Sequence, residues 1–371
     1  MASKEFYLFG YPIAHSASPA LHNHCFEFLG TKSTYNLWST SKVTEQMLAV
    51  IRDNGCGGAA VTMPLKTAII PFLDDISPES RVTNACNTIV KVPTANGGVK
   101  LVGQNTDILG IRNALLSALK TQHPPRTILS DASAAYPPQS ALAGSSAGLV
   151  IGGGATTRST AHALTSLGLS PIFVINRDVD KVRTVMDAMP HTKFIHLRDP
   201  TDVENYLVGK HKPCVLMAVG CIPSFAPQTL AERMVYTTAS AVLTVPYAMP
   251  ESPTLLPYPT KRLFLEMPYK PLETIMYKVA AAHGWQVIDG IEAMIEQAFA
   301  QQRMWLRGVA SVAIGSDSSI TGAALEESAR KLTRDRLSTV SSSSALVLAI
   351  EMMEVDRGEG KASAIPLQVK L

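Results

Sequence analysis

Short apolar runs of strand character alternate along the chain with segments of helical spacing. FYLFG is followed by SPALHNHCFEFLG, TYNLWS by KVTEQMLAVIRDN, and GGAAVTM by the residues after Pro64. This rhythm predicts α/β architecture with mainly parallel strands. Ser18-Pro19 has the form of an N-cap with proline at the first helical position, and Gly30 is the matching stop. NTIVKV and VKLVGQNTD predict a hairpin around Thr94-Ala95-Asn96-Gly97-Gly98, because Asn-Gly favours the tight turns that join antiparallel strands. A helix is expected from Ile108 to Leu119.

The pattern then breaks. Residues 121–148 are rich in Pro, Ser, Ala and Gly and read as a loop or poorly ordered insertion between domains. Beyond it the rhythm restarts with AGLVIGGGATTRSTAHALTSLGL and PIFVINRD, then a helix through Val182 to Met189. A final helix-like stretch, GIEAMIEQAFAQQRMWL, ends the second unit. The last part of the chain, which includes SSSSALVLAIEMMEVDRGEGKASAIP, is expected to hold one or two loosely attached helices and a disordered end.

A length of 371 residues favours two domains. With 46% hydrophobic and 17% charged residues, the chain reads as globular with a large buried fraction. The net charge of +3 argues against nucleic-acid or anionic-membrane partners, and no run reaches the roughly 18 apolar residues of a membrane span. The opening MASKEFYLFG enters a strand directly, without the pattern of a leader. Five cysteines, scattered and without ligand spacing, read as reduced thiols of a cytoplasmic protein with no bound metal.

Within GGAAVTMPLKTAIIPFL, Lys66 is the one charge. An apolar strand that stops at Pro64 either leaves a lysine at the surface or delivers it, with Thr62, into a cleft. Further on, Gly152-Gly153-Gly154-Ala155-Thr156 lies between a strand and a helix start, where backbone N–H groups can cradle a pyrophosphate. The next strand ends at Asn176-Arg177-Asp178, about where a dinucleotide-binding unit reads the adenosine ribose. Arg177, with Lys181 nearby, favours a 2′-phosphate and so NADP; Asp178 favours a free 2′-hydroxyl and so NAD. The same residues also fit a plain exposed Arg-Asp turn. Ser16 and Ser18 surround a helix start suited to a carboxylate, or Ser18 simply caps it. Asn87 enters a strand and Asp107 begins a helix, each with either a binding or a local structural role.

HSASP, VTMPLK, NACNT, GQNTD, GGGATTR, NRDVDK, LEMPYKP and GWQVIDGIEAMIEQA occur in the order and spacing of the shikimate/quinate dehydrogenases. Over residues 5–307 the chain resembles that family, and its wording is most similar to the fungal quinate/shikimate branch. The resemblance implies an N-terminal α/β substrate-binding domain and a Rossmann-type dinucleotide-binding domain with a cleft between them. It places the substrate-binding and catalytic domain at 1–108, completed by the helix at 289–307. The Rossmann domain follows at 109–288 with its insertion at 121–148, and 308–371 is a partly disordered extension.

The resemblance further implies hydride transfer between ring C3 of shikimate or quinate and NADP (or NAD), in a monomer or homodimer. By motif, Lys66 and Asp107 are the catalytic pair. Ser16 and Ser18 bind the substrate carboxylate, with Tyr269 near that end; Thr62, Asn87, Asp107 and Gln297 bind ring hydroxyls. The cofactor set is Gly152, Gly153, Gly154, Ala155, Thr156, Asn176, Arg177, Asp178, Lys181, Val219 and Gly290. The chain departs from the family pattern at Ala155, at Asp178, at Asn84 in place of a glycine, and at Met217-Ala218-Val219-Gly220, which leaves cofactor and substrate choice open. A regulatory protein that binds the metabolite without turnover, or a dehydrogenase of a related cyclic hydroxy acid, are the alternatives.

Overall fold

The computed structural model describes residues 3–14, 16–122, 146–247 and 259–340. Most of the expected insertion and the expected disordered end lie outside these described residues. The first half contains β1 (Glu5–Gly10), α1 (Ser18–Phe28), β2 (Thr34–Ser39), α2 (Glu45–Arg52), β3 (Cys56–Val61), the short α3 (Leu65–Ala68), β4 (Asp75–Ile76), α4 (Pro78–Thr83), β5 (Thr88–Pro93), β6 (Val99–Gln104) and α5 (Asp107–Thr121). Its sheet has the order β2-β1-β3-β5-β6-β4. β1, β2 and β3 are parallel, as the alternation predicts, but β5 runs antiparallel to both β3 and β6. The β5–β6 pairing is the expected hairpin. Thr94 N donates to Gly98 O and Gly97 N to Thr94 O, closing the turn at 2.9 and 3.0 Å.

The second sheet is built from β7 (Ser146–Ile151), α6 (Ala155–Ser166), β8 (Ile172–Ile175), α7 (Val179–Ala188), β9 (Phe194–His196), α8 (Pro200–Leu207), β10 (Cys214–Gly220), α9 (Leu230–Thr244), β11 (Leu263–Glu266), α10 (Ile275–Ala282) and β12 (Gln286–Asp289). All its pairings are parallel, in the order β12-β11-β10-β7-β8-β9. Chain order therefore reverses between β7 and β10, the switch point at which doubly wound sheets bind ligands beyond their carboxyl ends. The strands are apolar on both faces because helices cover both. Val150, Leu216 and Leu265 contribute to one core layer, and Leu149, Phe173 and Phe264 to the other.

The chain then returns to the first sheet through α11 (Gly290–Arg307), followed by α12 (Val312–Ser316) and α13 (Ala323–Val340). Where loosely attached helices are expected after residue 307, α13 instead packs closely. Leu325, Ala329 and Leu337 are buried against Leu21 and Cys25 of α1 and Ile295 and Phe299 of α11. Each fully buried leucine of this kind contributes about 1.5–3 kcal/mol. The amphipathic side facing the body also carries charge. Arg330 bonds Glu292 and, at 2.6 Å, Glu296, while Arg334 bonds Asp289 at 3.0 Å and Glu292 at 2.6 Å. Among the described residues no helix is long and apolar enough to cross a membrane. All five cysteines are free thiols.

Candidate active site

Lys66 is carried to the cleft by local geometry. β3 ends at Val61; Thr62 N then donates to Phe9 O at 2.8 Å, and Leu65 opens the short turn of α3 with its side chain buried. Lys66 follows, its carbonyl accepting from Cys86 N at 2.8 Å, so the backbone beneath the ammonium is fixed. Asn84 ends α4 in the left-handed conformation, φ 47° and ψ 43°, which an asparagine tolerates in place of glycine.

Lys66 Nζ lies 2.5 Å from Asp107 Oδ2, with side-chain exposures of 21% and 13%. The partial burial of both charges distinguishes this pair from a surface lysine and its chance neighbour. Asp107 is the first residue of α5; Thr106 precedes it as N-cap, so Asp107 is not the cap. Asn87 orders the surrounding groups. Its amide nitrogen donates to Asp107 Oδ1 at 2.8 Å and to Gln297 Oε1 at 3.3 Å. Its amide oxygen accepts from Thr106 N and Thr88 Oγ1, both at 2.8 Å.

A cavity of about 210 Å³ opens over this pair. Ser16, Ser18, Thr62, Lys66, Asn87, Asp107, Tyr269 and Gln297 all line it, so the structure brings the eight expected catalytic and substrate residues to one place. Ser18 is the first residue of α1 and not its N-cap: Ala17 holds that position without a side-chain cap bond, and Pro19 stands second. The Ser16 hydroxyl instead accepts from Ser18 N at 3.3 Å. Burial raises the pKa of Tyr269, which keeps its hydroxyl protonated and able to donate.

Gln301 and Tyr35 also line the cavity and were not singled out by the sequence. Gln301 stands one turn beyond Gln297 on the same face of α11 and donates to Thr88 Oγ1 at 2.9 Å. That four-residue spacing was the available signal, hidden because a glutamine in an amphipathic helix reads as its polar side. Tyr35 gave no signal, as an aromatic residue in a strand is ordinarily core.

The expected cofactor residues divide. Gly152, Gly153 and Gly154 connect β7 to α6, and Ala155 and Thr156 open that helix without a side-chain cap. A Cβ on Gly153 would approach Asn176 Nδ2 to 2.6 Å, so the glycine is what lets the first and second strand ends meet. Arg177 follows, paired with Glu232. Asp178 caps α7, its carboxylate accepting from Asp180 N and Lys181 N. Lys181 Nζ is 3.7 Å from Asp178 Oδ2. The two remaining expected positions lie away from the glycine loop. Val219 is fully buried in the core of the second sheet, because a strand residue points to one face and that face is covered. Gly290 lines the cavity beside the substrate set and does not lie at the glycine loop.

The arrangement gathers a lysine bonded to an aspartate, with hydroxyl and amide groups, around one small cavity. Residues 8–89 match the family described as the shikimate dehydrogenase substrate binding domain. The fold is similar to that of "Dehydroquinate dehydratase and shikimate dehydrogenase from S. pombe AroM", with 26% identity and a TM-score of 0.67 over 90% of this chain and 53% of that one. The present chain thus spans about half the length of that protein. It is similar in fold to the quinate dehydrogenase from Corynebacterium glutamicum in complex with NAD, at 19% identity and a TM-score of 0.62, covering 90% of this chain and 99% of that one. The shikimate 5-dehydrogenase from Thermus thermophilus in complex with NADP(H) and shikimate matches at 23% identity and a TM-score of 0.57, covering 89% and 99%.

Proposed function

We propose that this chain, whose residues 8–89 match the shikimate dehydrogenase substrate binding domain, is an NAD(P)-dependent dehydrogenase of shikimate or quinate. The reaction is reversible oxidation of the ring C3 hydroxyl. The observation that carries the reading is the Lys66–Asp107 pair at 2.5 Å in a cavity whose other polar walls include Ser16, Ser18, Thr62, Asn87, Tyr269 and Gln297.

Loss of hydride from a carbinol requires its hydroxyl proton to leave, and return of hydride requires a proton to be supplied. Lys66 Nζ is the group that holds this proton or stabilises the developing alkoxide, and Asp107 keeps the ammonium oriented. Asn87 occupies the other oxygen of Asp107, which leaves Oδ2 for the lysine. Ser16 and Ser18 supply hydroxyls for the carboxylate end, with Tyr269 as a further donor. Gln297 and Thr62 face the ring hydroxyls. A nicotinamide bound beside this cavity would supply the hydride acceptor for oxidation and the donor for reduction. The glycine loop fits such a group, since the N-terminus of α6 carries no side-chain cap and its helix dipole favours a pyrophosphate.

The test crosses shikimate and quinate with NAD and NADP and follows reduced nicotinamide by its absorbance. Turnover in at least one combination is expected. Metabolite binding without turnover in all four overturns the enzyme reading in favour of a sensor.

A further inference from the structure

The structure assigns Glu232 the role of discriminating between adenosine nucleotides with and without a 2′-phosphate. This rests on the reading of the glycine loop as a dinucleotide site. Arg177 leaves the end of β8 next to Asn176, which touches the loop at Gly153. Its guanidinium is about half exposed, and Nη1 pairs with Glu232 Oε1.

Glu232 is no freely rotating surface acid. Its Oε2 accepts from Gln228 N at 2.8 Å and Thr229 N at 3.0 Å, completing the capping box of α9. These backbone donors first, and Arg177 after them, hold its pKa down to about 2, so the carboxylate is charged throughout the neutral range. Asp178, the acid that the sequence sets against Arg177, instead accepts from Asp180 N and Lys181 N at 3.1 Å. Both cations of the turn thus already have an acid: Arg177 has Glu232, and Lys181 has Asp178.

A ribose 2′-hydroxyl is neutral and can bond either side of the Arg177–Glu232 pair. A 2′-phosphate carries about −1.5 to −2 charges and needs the arginine, which brings it against the fixed carboxylate. Glu232 therefore weakens 2′-phosphorylated ligands selectively, by repulsion and by competition for Arg177.

The experiment is calorimetric titration of the full chain with adenosine 2′,5′-bisphosphate and with 5′-AMP, which bind without turnover. Glu232→Gln keeps the side-chain shape and an acceptor oxygen for the cap. It should tighten the bisphosphate about tenfold and leave 5′-AMP within about twofold, with a gain that shrinks as salt is raised. Adding Arg177→Ala to Glu232→Gln should erase the gain. If both nucleotides bind and their ratio is unchanged in Glu232→Gln, the role of Glu232 is overturned while the dinucleotide site stands. If neither nucleotide binds the parent chain or the variant, the dinucleotide reading and the inference fall together.

Discussion

Asp107 is held at both oxygens: Lys66 Nζ donates to Oδ2 at 2.5 Å and Asn87 Nδ2 to Oδ1 at 2.8 Å. The lysine therefore cannot leave its position by rotation of its partner. Lys66→Ala should lower kcat by about 10²–10⁴, the usual contribution of a positioned acid–base group. Nucleotide affinity, measured by titration, should stay within about twofold. Near-normal turnover in this variant would remove Lys66 from the chemistry.

Asn87→Asp is nearly isosteric and probes the same pair from the other side. Its oxygen can still accept from Thr106 N, but it replaces a donor to Asp107 with a second negative charge. Like charge at this distance favours protonation of the cluster. The acidic limb of the kcat/KM profile should shift up by about one pH unit, and an unshifted profile would show that Asp107 does not control the titrating group.

Glu266 ends β11 and is buried; its Oε1 accepts from Thr274 Oγ1 at 2.7 Å and its Oε2 has no hydrogen-bond partner among the described residues. Burial pushes its pKa up from 4.5 to about 7, only partly offset by Thr274. The folded state therefore holds a proton that the unfolded chain releases above pH 4.5. The associated stability is fully present below that pH and is lost as pH rises towards about 7, a change on the order of 3 kcal/mol. Glu266→Gln should flatten the fall in unfolding free energy between pH 5 and 7, as read by denaturant titration. The same carboxylate explains Gly220, where a Cβ would collide with Glu266 Oε2.

Glu326 of α13 pairs with Arg303 of α11, whose side chain is only 3% exposed. Glu326→Ala would leave Arg303 without its acid, although Thr321 Oγ1 at 3.1 Å and Gly315 O at 2.7 Å still accept from it. A loss of about 3 kcal/mol is expected in chemical denaturation, because an uncompensated buried charge costs more than the pair contributes. A loss below about 0.5 kcal/mol would mean that α13 contributes little to the docked state.

The strand–helix alternation and the glycine loop were legible because they are periodic or locally punctuated. Lys66 and Asp107 stood out through their place after a strand and before a helix, together with the motif resemblance. Non-local pairing was not legible. The turn after β5 announced its antiparallel pairing with β6, but no feature within TIVKVP states that its other edge meets β3, also antiparallel. Val219 is expected with the cofactor, and its side chain lies in the core, because β10 is covered on both faces and residues of either parity are buried there. Ser18 was one position out, since Ser-Pro reads as cap and first helical residue while the chain turns one residue earlier. The docking of α13 was not legible because everything it packs against lies on other elements, α1 and α11. Arg330 and Arg334 find their acids on α11 only once the two helices are adjacent.

The helix that starts at the glycine loop is also fastened to the first sheet. Arg158 Nε donates to Thr83 O at 2.6 Å, and Asn105 Nδ2 reaches both Thr83 Oγ1 and Ser159 Oγ at 2.9 Å. Asn105 is two residues from Asp107, and its Oδ1 accepts from Asp107 N at 3.3 Å. One asparagine thus bridges the two sheets' helices, so the backbone that presents the acid beneath the lysine and the first turn of the glycine-loop helix share a single hydrogen-bonded frame.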